Sequence, residues 1–504
     1  MIERLLGDSE TLRAVYDFLA WGWPYVFTVL YFGTAIPASV HAVLFKRDVR
    51  GAVAWAGLIW LSPILGAALY AVFGINRIQR RATRLRTDGP NPEDLFPEGA
   101  RISVMRRRTA PLDPDAPGGR PYGMSALRRF IGTVSGRELT SGNTVTPLVN
   151  GDEAYPAMLE AIDNAQHAIA LCTYIFDHDR AGKRFVEALT AAMQRGVELR
   201  VLIDGVGARY SRPRITRLLE ANGVPVAKFL KSISPVRNPY LNLRNHRKIL
   251  VVDGRVGFTG GLNIREGNLL SLDPAHPVQD VHFRFAGPVV RHMMDDVALD
   301  WEFTTGEVLE GEPWFPEIGE VGTVEARGVA DGPDENFETI QWSLLGALAA
   351  AERSVRITTP YFLPDQTLIA GLNLAAMRGV SVQIILPEVS NLRFVQWAST
   401  AQLWQILING CEVYLSPPPF DHSKLMLIDD EWAFVGSANW DARSLRLNFE
   451  YNIECYDTAL AASIGALIDA KMATCRRTTL EDLGARPLPI KLRDGMVRLF
   501  APYL

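Results

Sequence analysis

One six-position constellation occurs twice in this chain and constrains its fold more than any other feature. The first copy is His246-x-Lys248-x4-Asp253-x6-Gly260-Gly261-x-Asn263, and the second is His422-x-Lys424-x4-Asp429-x6-Gly436-Ser437-x-Asn439. All six positions keep their spacing, and five keep their residue type; the sixth exchanges Gly261 for Ser437. In a strand, residues i and i+2 face the same way, so His246 and Lys248 project together, as do His422 and Lys424. The apolar runs Ile249–Val252 and Leu425–Ile428 carry each strand into a core. Asp253-Gly254 is a favoured hairpin turn and Asp429-Asp430 a poorer one, so both acids read as structural, at the bends. The returning strands reach a small-residue corner, where lack of side-chain bulk lets an anionic phosphate approach the backbone at Gly261 and Ser437. Asn263 and Asn439 follow two residues on and can donate amide hydrogen bonds. Each copy thus offers an imidazole, a cation and an amide to one phosphate.

Composition sharpens this reading. The chain has 44 Arg but only eight Lys, and two of those Lys stand two residues after a His in matched motifs. A compact ammonium can meet a phosphate oxygen as a point charge where a planar fork does not fit. A lone His-x-Lys would read as an interior histidine beside a snorkelling lysine. Two copies with four further spacings kept argue against that.

The motifs close two longer repeats. Ile169–Phe176 reads as a strand, Lys183–Arg195 as an amphipathic helix stopped by Gly196, and Val197–Ile203 as the next strand. The order recurs as Val355–Phe362, Gln366–Arg378 stopped by Gly379, and Val380–Leu386. The spacing is too long for a solenoid, so the chain reads as two α/β domains of one ancestry with parallel or mixed sheets. The expected divisions are 1–86, a Pro- and Gly-rich linker at 87–123, a first domain at 124–330 and a second at 331–504.

Residues 18–45 and 51–76 contain no Asp, Glu, Lys or Arg. Each exceeds the ~20 apolar residues that cross a bilayer as a helix. The pair reads as a transmembrane helical hairpin. A cleaved signal peptide would have a shorter apolar core and no second span. Re-entrant or surface-lying helices are the alternative, because Pro24, Pro37 and Pro63 interrupt both stretches. Arg4 and Arg13 precede the first span, and Arg77, Arg80, Arg81, Arg84 and Arg86 follow the second. Together they outnumber the loop's Lys46, Arg47 and Arg50, which places both termini and the large C-terminal part in the cytoplasm. The arginines after the second span, with Arg106–Arg108, suit anionic headgroups. Net charge is −4 with pI ≈ 6.1, against a dedicated nucleic-acid binder. The four cysteines form no CxxC pair, and no Cys/His cluster or acidic cage suggests a metal site.

These motifs resemble the paired HKD signatures of the phospholipase D superfamily. The extended second copy, through Gly436-Ser437-Ala438-Asn439-Trp440-Asp441 to Asn448-Phe449-Glu450, is similar to bacterial cardiolipin synthases. So are the segment Leu61-Ser62-Pro63 to Asn76 and the ending Arg498-Leu499-Phe500-Ala501-Pro502-Tyr503-Leu504. The resemblance implies two phospholipase D-like domains packed with pseudo-two-fold symmetry. It implies a multi-pass inner-membrane enzyme without cofactor that transfers a phosphatidyl group between two phosphatidylglycerols, giving cardiolipin and glycerol. It assigns His246 as nucleophile, through a phosphohistidine, and His422 as acid/base; the residues themselves are nearly symmetric and do not decide this. Asp280 and Glu450 match the family positions that orient the two imidazoles. They follow their own repeat's His by 34 and 28 residues, so the tail of each repeat is expected to fold back on the site. His282, Arg443 and Arg446 read as scaffold or headgroup contacts. A hydrolytic phospholipase D, a transferase using another alcohol, an HKD nuclease and a catalytically dead membrane scaffold are the competing readings.

Overall fold

The computed structural model describes residues 10–46, 49–74, 123–230, 243–333 and 336–501. The basic stretch 77–86, residues 106–108 and nearly all of the expected linker lie outside them. The chain divides into two compact units, Met1–Arg108 and Thr109–Leu504.

In the smaller unit one helix, Glu10–Phe45, continues through Pro24 and Pro37. Its Trp21–Phe45 portion has 25 residues and is the one helix among the described residues long and apolar enough to cross a membrane. At 1.5 Å per residue it measures about 37 Å, against a hydrocarbon core of about 30 Å.

The second charge-free stretch departs from the expected single crossing. It forms a helix at Val49–Leu61, breaks at Ser62 and resumes at Pro63–Leu69 in the opposite direction. The reversal is plain from side-chain positions. A Cβ on Gly66 would lie 2.5 Å from the carbonyl oxygen of Leu58, so only glycine admits this approach. The Trp55 and Tyr70 rings are 5.4 Å apart, where fifteen residues of straight helix would separate them by about 22 Å. The Tyr70 hydroxyl also meets His41 Nδ1 at 2.8 Å, tying the returning arm to the long helix. Pro63, which has no N–H to donate, begins that arm.

The larger unit is built on a 16-stranded sheet whose strand order is symmetric about its centre. From the centre outward, one half runs Thr140–Val149, Val281–Ala286, Val256–Gly260, Ile249–Val252, Ala168–Thr173, Glu198–Asp204 and Val226–Phe229. The other runs Val324–Asp331, Asn448–Tyr456, Trp432–Gly436, Leu425–Ile428, Ser354–Thr358, Ser381–Pro387 and Glu412–Ser416, with Arg476–Thr478 added at the edge. The two halves join through antiparallel pairing of Thr140–Asn143 with Val324–Ala326. The duplicated α/β reading is therefore correct, and the duplication is one continuous sheet.

Corresponding helices cover corresponding strands. Helix Arg180–Gln194 buries Phe185, Val186 and Leu189, and helix Gln366–Met377 buries Leu368, Ile369 and Leu372. Asp179 and Asp365 cap them by accepting backbone N–H bonds, and Gly196 and Gly379 follow their ends, each at φ 90°. One element crosses the expected boundary. Helix Met124–Ser135, assigned above to the first domain, buries Leu127 and Ile131 in the core of the second half, beside helix Thr339–Ala350.

Candidate active site

Each motif His sits where an irregular segment enters a strand, and each of those segments is held by the opposite half. Arg244–Asn245 pairs in parallel with Asn448–Phe449, and the His246 N–H donates to the Phe449 carbonyl at 2.9 Å. Phe420–Asp421 pairs in parallel with Val278–Gln279, and the His422 N–H donates to the Gln279 carbonyl at 2.7 Å. The residue after each of those partners is a carboxylate. Sequence order therefore misleads about the pairing. Glu450, in the second half, accepts from His246 Nδ1 at 2.9 Å through both oxygens. Asp280, in the first half, shares a hydrogen bond with His422 Nδ1 at 2.9 Å. The pairs are crossed, and neither carboxylate serves the His of its own repeat.

The small-residue corner has a different role from the one expected. A Cβ on Gly261 would lie 2.3 Å from Asp280 Oδ1, so this glycine makes room for the carboxylate. At the matching position Ser437 is fully buried and donates its hydroxyl to Glu450 Oε2 at 2.6 Å. Neither residue lines the cavity. The single exchange between the copies thus follows the exchange of carboxylates: Asp packs against Gly, and Glu receives a bond from Ser.

Both imidazoles line one cavity of ≈ 670 Å³, together with Asn263, Asn439, Arg244, Arg265 and Arg443. Asn263 Oδ1 accepts from the Ile175 N–H at 3.1 Å, and Asn439 Nδ2 donates to Ser444 Oγ at 3.1 Å. Lys248 Nζ donates to the His246 carbonyl at 2.7 Å and Lys424 Nζ to the His422 carbonyl at 2.5 Å. The cations are thereby folded back beside their own histidines. Asp253 and Asp429 lie away from the cavity. Asp253 accepts the N–H groups of Gln166, His167 and Ala168 at 2.7–2.9 Å, and Asp429 those of Glu352, Arg353 and Ser354 at 2.7 Å. Each acid clips its hairpin bend to the start of the neighbouring strand.

Burial sets the protonation of the site. It lowers His246 to about 4, with Glu450 pulling the other way, and lowers His422 well below its usual value, reinforced by Lys424 and Lys248. Both rings are therefore neutral at pH 7. Burial also lowers Lys248 to about 7 and Lys424 to about 8; an anionic phosphate beside them would restore their charge. The two carboxylates differ. Burial pushes Asp280 up to about 7, with Lys424 only partly opposing. Burial also works to raise Glu450, but His246, Lys248 and Ser437 outweigh it and hold that group below its usual range.

Several contributors escaped the sequence reading. The Tyr174 ring stands 5.0 Å from the His246 ring, and Tyr361 6.2 Å from His422. Behind His246, Arg247 pairs with Asp300 at 2.9 Å, and Asn245 donates to the same carboxylate at 2.8 Å. Behind His422 the polarity is reversed: Asp421 supplies the carboxylate and Lys471 the cation, at 2.7 Å. The residues flanking each His were the available signal, since they are polar at positions leading into buried strands. Among the described residues no group of three or more His, Cys, Asp or Glu side chains is arranged to hold a metal ion.

A family model described as the PLD-like domain of cardiolipin synthase matches residues 158–273 and 344–471, one segment in each half. The major cardiolipin synthase ClsA of Bacillus subtilis is 32% identical over 477 residues, covering 92% of this chain and 96% of the relative. The chain belongs to the PLD-like cardiolipin synthase family. Within that family, a cardiolipin synthase of Geobacillus kaustophilus is likewise 32% identical over 489 residues, covering 95% of this chain and 94% of the relative. Among solved structures, the phosphatidylserine synthase of Haemophilus influenzae superposes with a TM-score of 0.57 at 14% identity, covering 75% of this chain and all of that one, which supports the fold. In this family member both His-x-Lys motifs fall inside the matched segments, and Asp280 lies just beyond the first.

Proposed function

We propose that this chain is a cardiolipin synthase that moves a phosphatidyl group from one phosphatidylglycerol to another, giving cardiolipin and glycerol. The observation that carries the reading is the sharing of one cavity by two imidazoles, each held at Nδ1 by a buried carboxylate of the opposite half. A carboxylate at Nδ1 leaves Nε2 of each ring for the reaction.

His246 is the nucleophile. Its ring is neutral and Glu450 is held ionised, so Nδ1 carries the proton and Nε2 carries the lone pair. Nε2 attacks phosphorus, and the bond to the glycerol headgroup oxygen breaks. His422 donates the proton to that oxygen, and glycerol leaves. Its partner Asp280, raised to about 7, keeps its own proton near neutrality and donates it to Nδ1, so the neutral His422 ring carries its proton on Nε2. The terminal hydroxyl of the second phosphatidylglycerol then gives its proton to His422 and attacks phosphorus. The phosphorus–nitrogen bond breaks, and cardiolipin is released. Lys248, Lys424, Asn263 and Asn439 supply donors to the phosphoryl oxygens as charge develops. To reach a bound phosphate the lysines swing from the carbonyls they now hold. Labelled phosphatidylglycerol, supplied to the full-length enzyme in vesicles, tests the reading. Cardiolipin plus glycerol is expected, and phosphatidic acid as sole product would overturn it.

The apolar N-terminal unit anchors the enzyme as one crossing plus a fold-back. Because the second stretch reverses at Ser62–Pro63, the chain leaves the membrane on the face where it entered that stretch. Lys46, Arg47, Arg50, Arg77, Arg80, Arg81, Arg84 and Arg86 then share one face, against Arg4 and Arg13 on the other. The positive-inside rule places the catalytic part in the cytoplasm and the N-terminus across the membrane. This keeps the orientation expected for the catalytic part and reverses that of the N-terminus.

A further inference from the structure

The wall of the catalytic cavity continues onto an apolar outer surface. Leu392 and Phe394 line the cavity and are also 48% and 60% exposed. Leu392 caps and Phe394 lies in the first turn of helix Arg393–Thr400, against which helix Leu488–Arg498 packs. Arg493 lies 3.9 Å over the Trp397 ring, and Arg498 donates to the Ala401 carbonyl at 3.4 Å. The outer side of the second helix carries Leu488, Leu492, Met496 and Leu499, between 57% and 74% exposed. Their spacing of about one helical turn puts them in one stripe. The opposite side holds Asp494, which is buried and ion-paired to Arg486 and Arg493 at 2.7 Å. The helix's single acid is thus withdrawn, and Lys491, Arg493 and Arg498 leave its rim basic. Soluble monomers rarely expose a contiguous patch of this kind without a partner for it.

We propose that Leu392, Phe394 and the stripe on helix Leu488–Arg498 dock into the headgroup–acyl boundary of an anionic bilayer, setting the cavity mouth at the membrane surface. The inference rests on the reading that the substrates are membrane phospholipids. Charge and continuity select this occupant. A basic rim around an apolar stripe complements an anionic interface. The patch also borders the opening through which a lipid headgroup must pass, and a second copy seated there would obstruct it.

The test uses full-length enzyme in phosphatidylglycerol-containing vesicles, with Cys475→Ser removing the partly exposed cysteine. An environment-sensitive fluorophore is placed at Leu492→Cys or, on a distant exposed site, at Glu187→Cys. The label at 492 is expected to shift to the blue and to be quenched by nitroxides on the upper acyl chain, while that at 187 responds only to aqueous iodide. A label at 492 that stays in water overturns the proposal. So does one that is shifted but unquenched by the lipid nitroxide, because protein then covers the face, whether a second copy or the N-terminal unit.

Activity gives a second arm. Leu492→Glu with Met496→Glu is expected to lower turnover on vesicles about tenfold, because two charges are forced into the interface. On short-chain phosphatidylglycerol dispersed as monomers, turnover should change by less than about twofold, since no interface is then required. Equal loss on both substrates overturns docking. Product identity from the parent enzyme tests the reaction independently of where the label reports.

Discussion

Glu450→Gln keeps the shape of a side chain that is fully buried and removes the charge facing His246. Glu450 accepts from His246 Nδ1 at 2.9 Å, from Ser437 Oγ at 2.6 Å and from Asn448 Nδ2 at 3.0 Å. A hydrogen bond to a charged group contributes ~1.5–3 kcal/mol, against ~0.5–1.5 kcal/mol for a neutral one. The amide NH2 also invites the imidazole lone pair onto Nδ1, leaving a proton on the nitrogen proposed to attack. A loss of about 2–3 kcal/mol from the transition state lowers turnover roughly 30- to 160-fold. Cardiolipin formation in vesicles measures this, with a thermal melt to show that the fold is kept. The low-field imidazole N–H resonances locate the effect: Glu450→Gln should move that of His246 and leave that of His422 in place. Turnover within about threefold of the parent would refute the magnitude. Movement of the His422 resonance alone would refute the crossed pairing.

Five further outcomes follow from the same structure. Gly261→Ala puts a methyl 2.3 Å from Asp280 Oδ1 and should displace that carboxylate from His422. Ser437→Ala removes a donor to Glu450, and each of these two changes should cost about tenfold in turnover without loss of fold. Asp253→Ala removes three backbone hydrogen bonds and should lower unfolding stability by about 3 kcal/mol in a denaturant titration, with activity per folded molecule kept. Asp280, raised from 3.8 to about 7 in the folded state, holds a proton that the unfolded chain releases. Its contribution to stability is therefore full below about pH 4 and lost as pH rises through 7, and Asp280→Asn should flatten that part of a melting-temperature profile. An epitope added before Met1 should be cleaved by an impermeant protease applied outside intact spheroplasts; protection there would refute the fold-back topology.

The sequence showed where the motif side chains stand and concealed their wiring. Two His, two Lys and two Asn could be placed because each repeats at fixed spacing on a strand whose alternation is known. The partner of each His could not, because it depends on pairing between segments far apart in the chain. Asp280 is 34 residues from His246 and 142 from His422, yet it bonds to the more distant one. Gly261 and Ser437 were misread for the same reason: smallness is visible in sequence, but what fills the vacated space is not. In the N-terminal unit a charge-free run looks the same whether it crosses a bilayer or doubles back. Pro63 was the available hint, and Pro24 and Pro37, which leave their helix continuous, show how weak that hint is.

The crossed pairs have a consequence for the chain during its own synthesis. His246 emerges from the ribosome well before Glu450, which follows it by 204 residues. On the topology proposed above, the N-terminal unit has by then been made, and the nascent chain stands beside a phospholipid membrane. Until the second half folds, the first half's imidazole has no carboxylate to fix its tautomer, and Asp280 has no histidine to serve. On the proposed mechanism, a truncated or half-folded chain carries histidines but no primed nucleophile, and phospholipid is spared until the whole sequence has been translated and closed on itself.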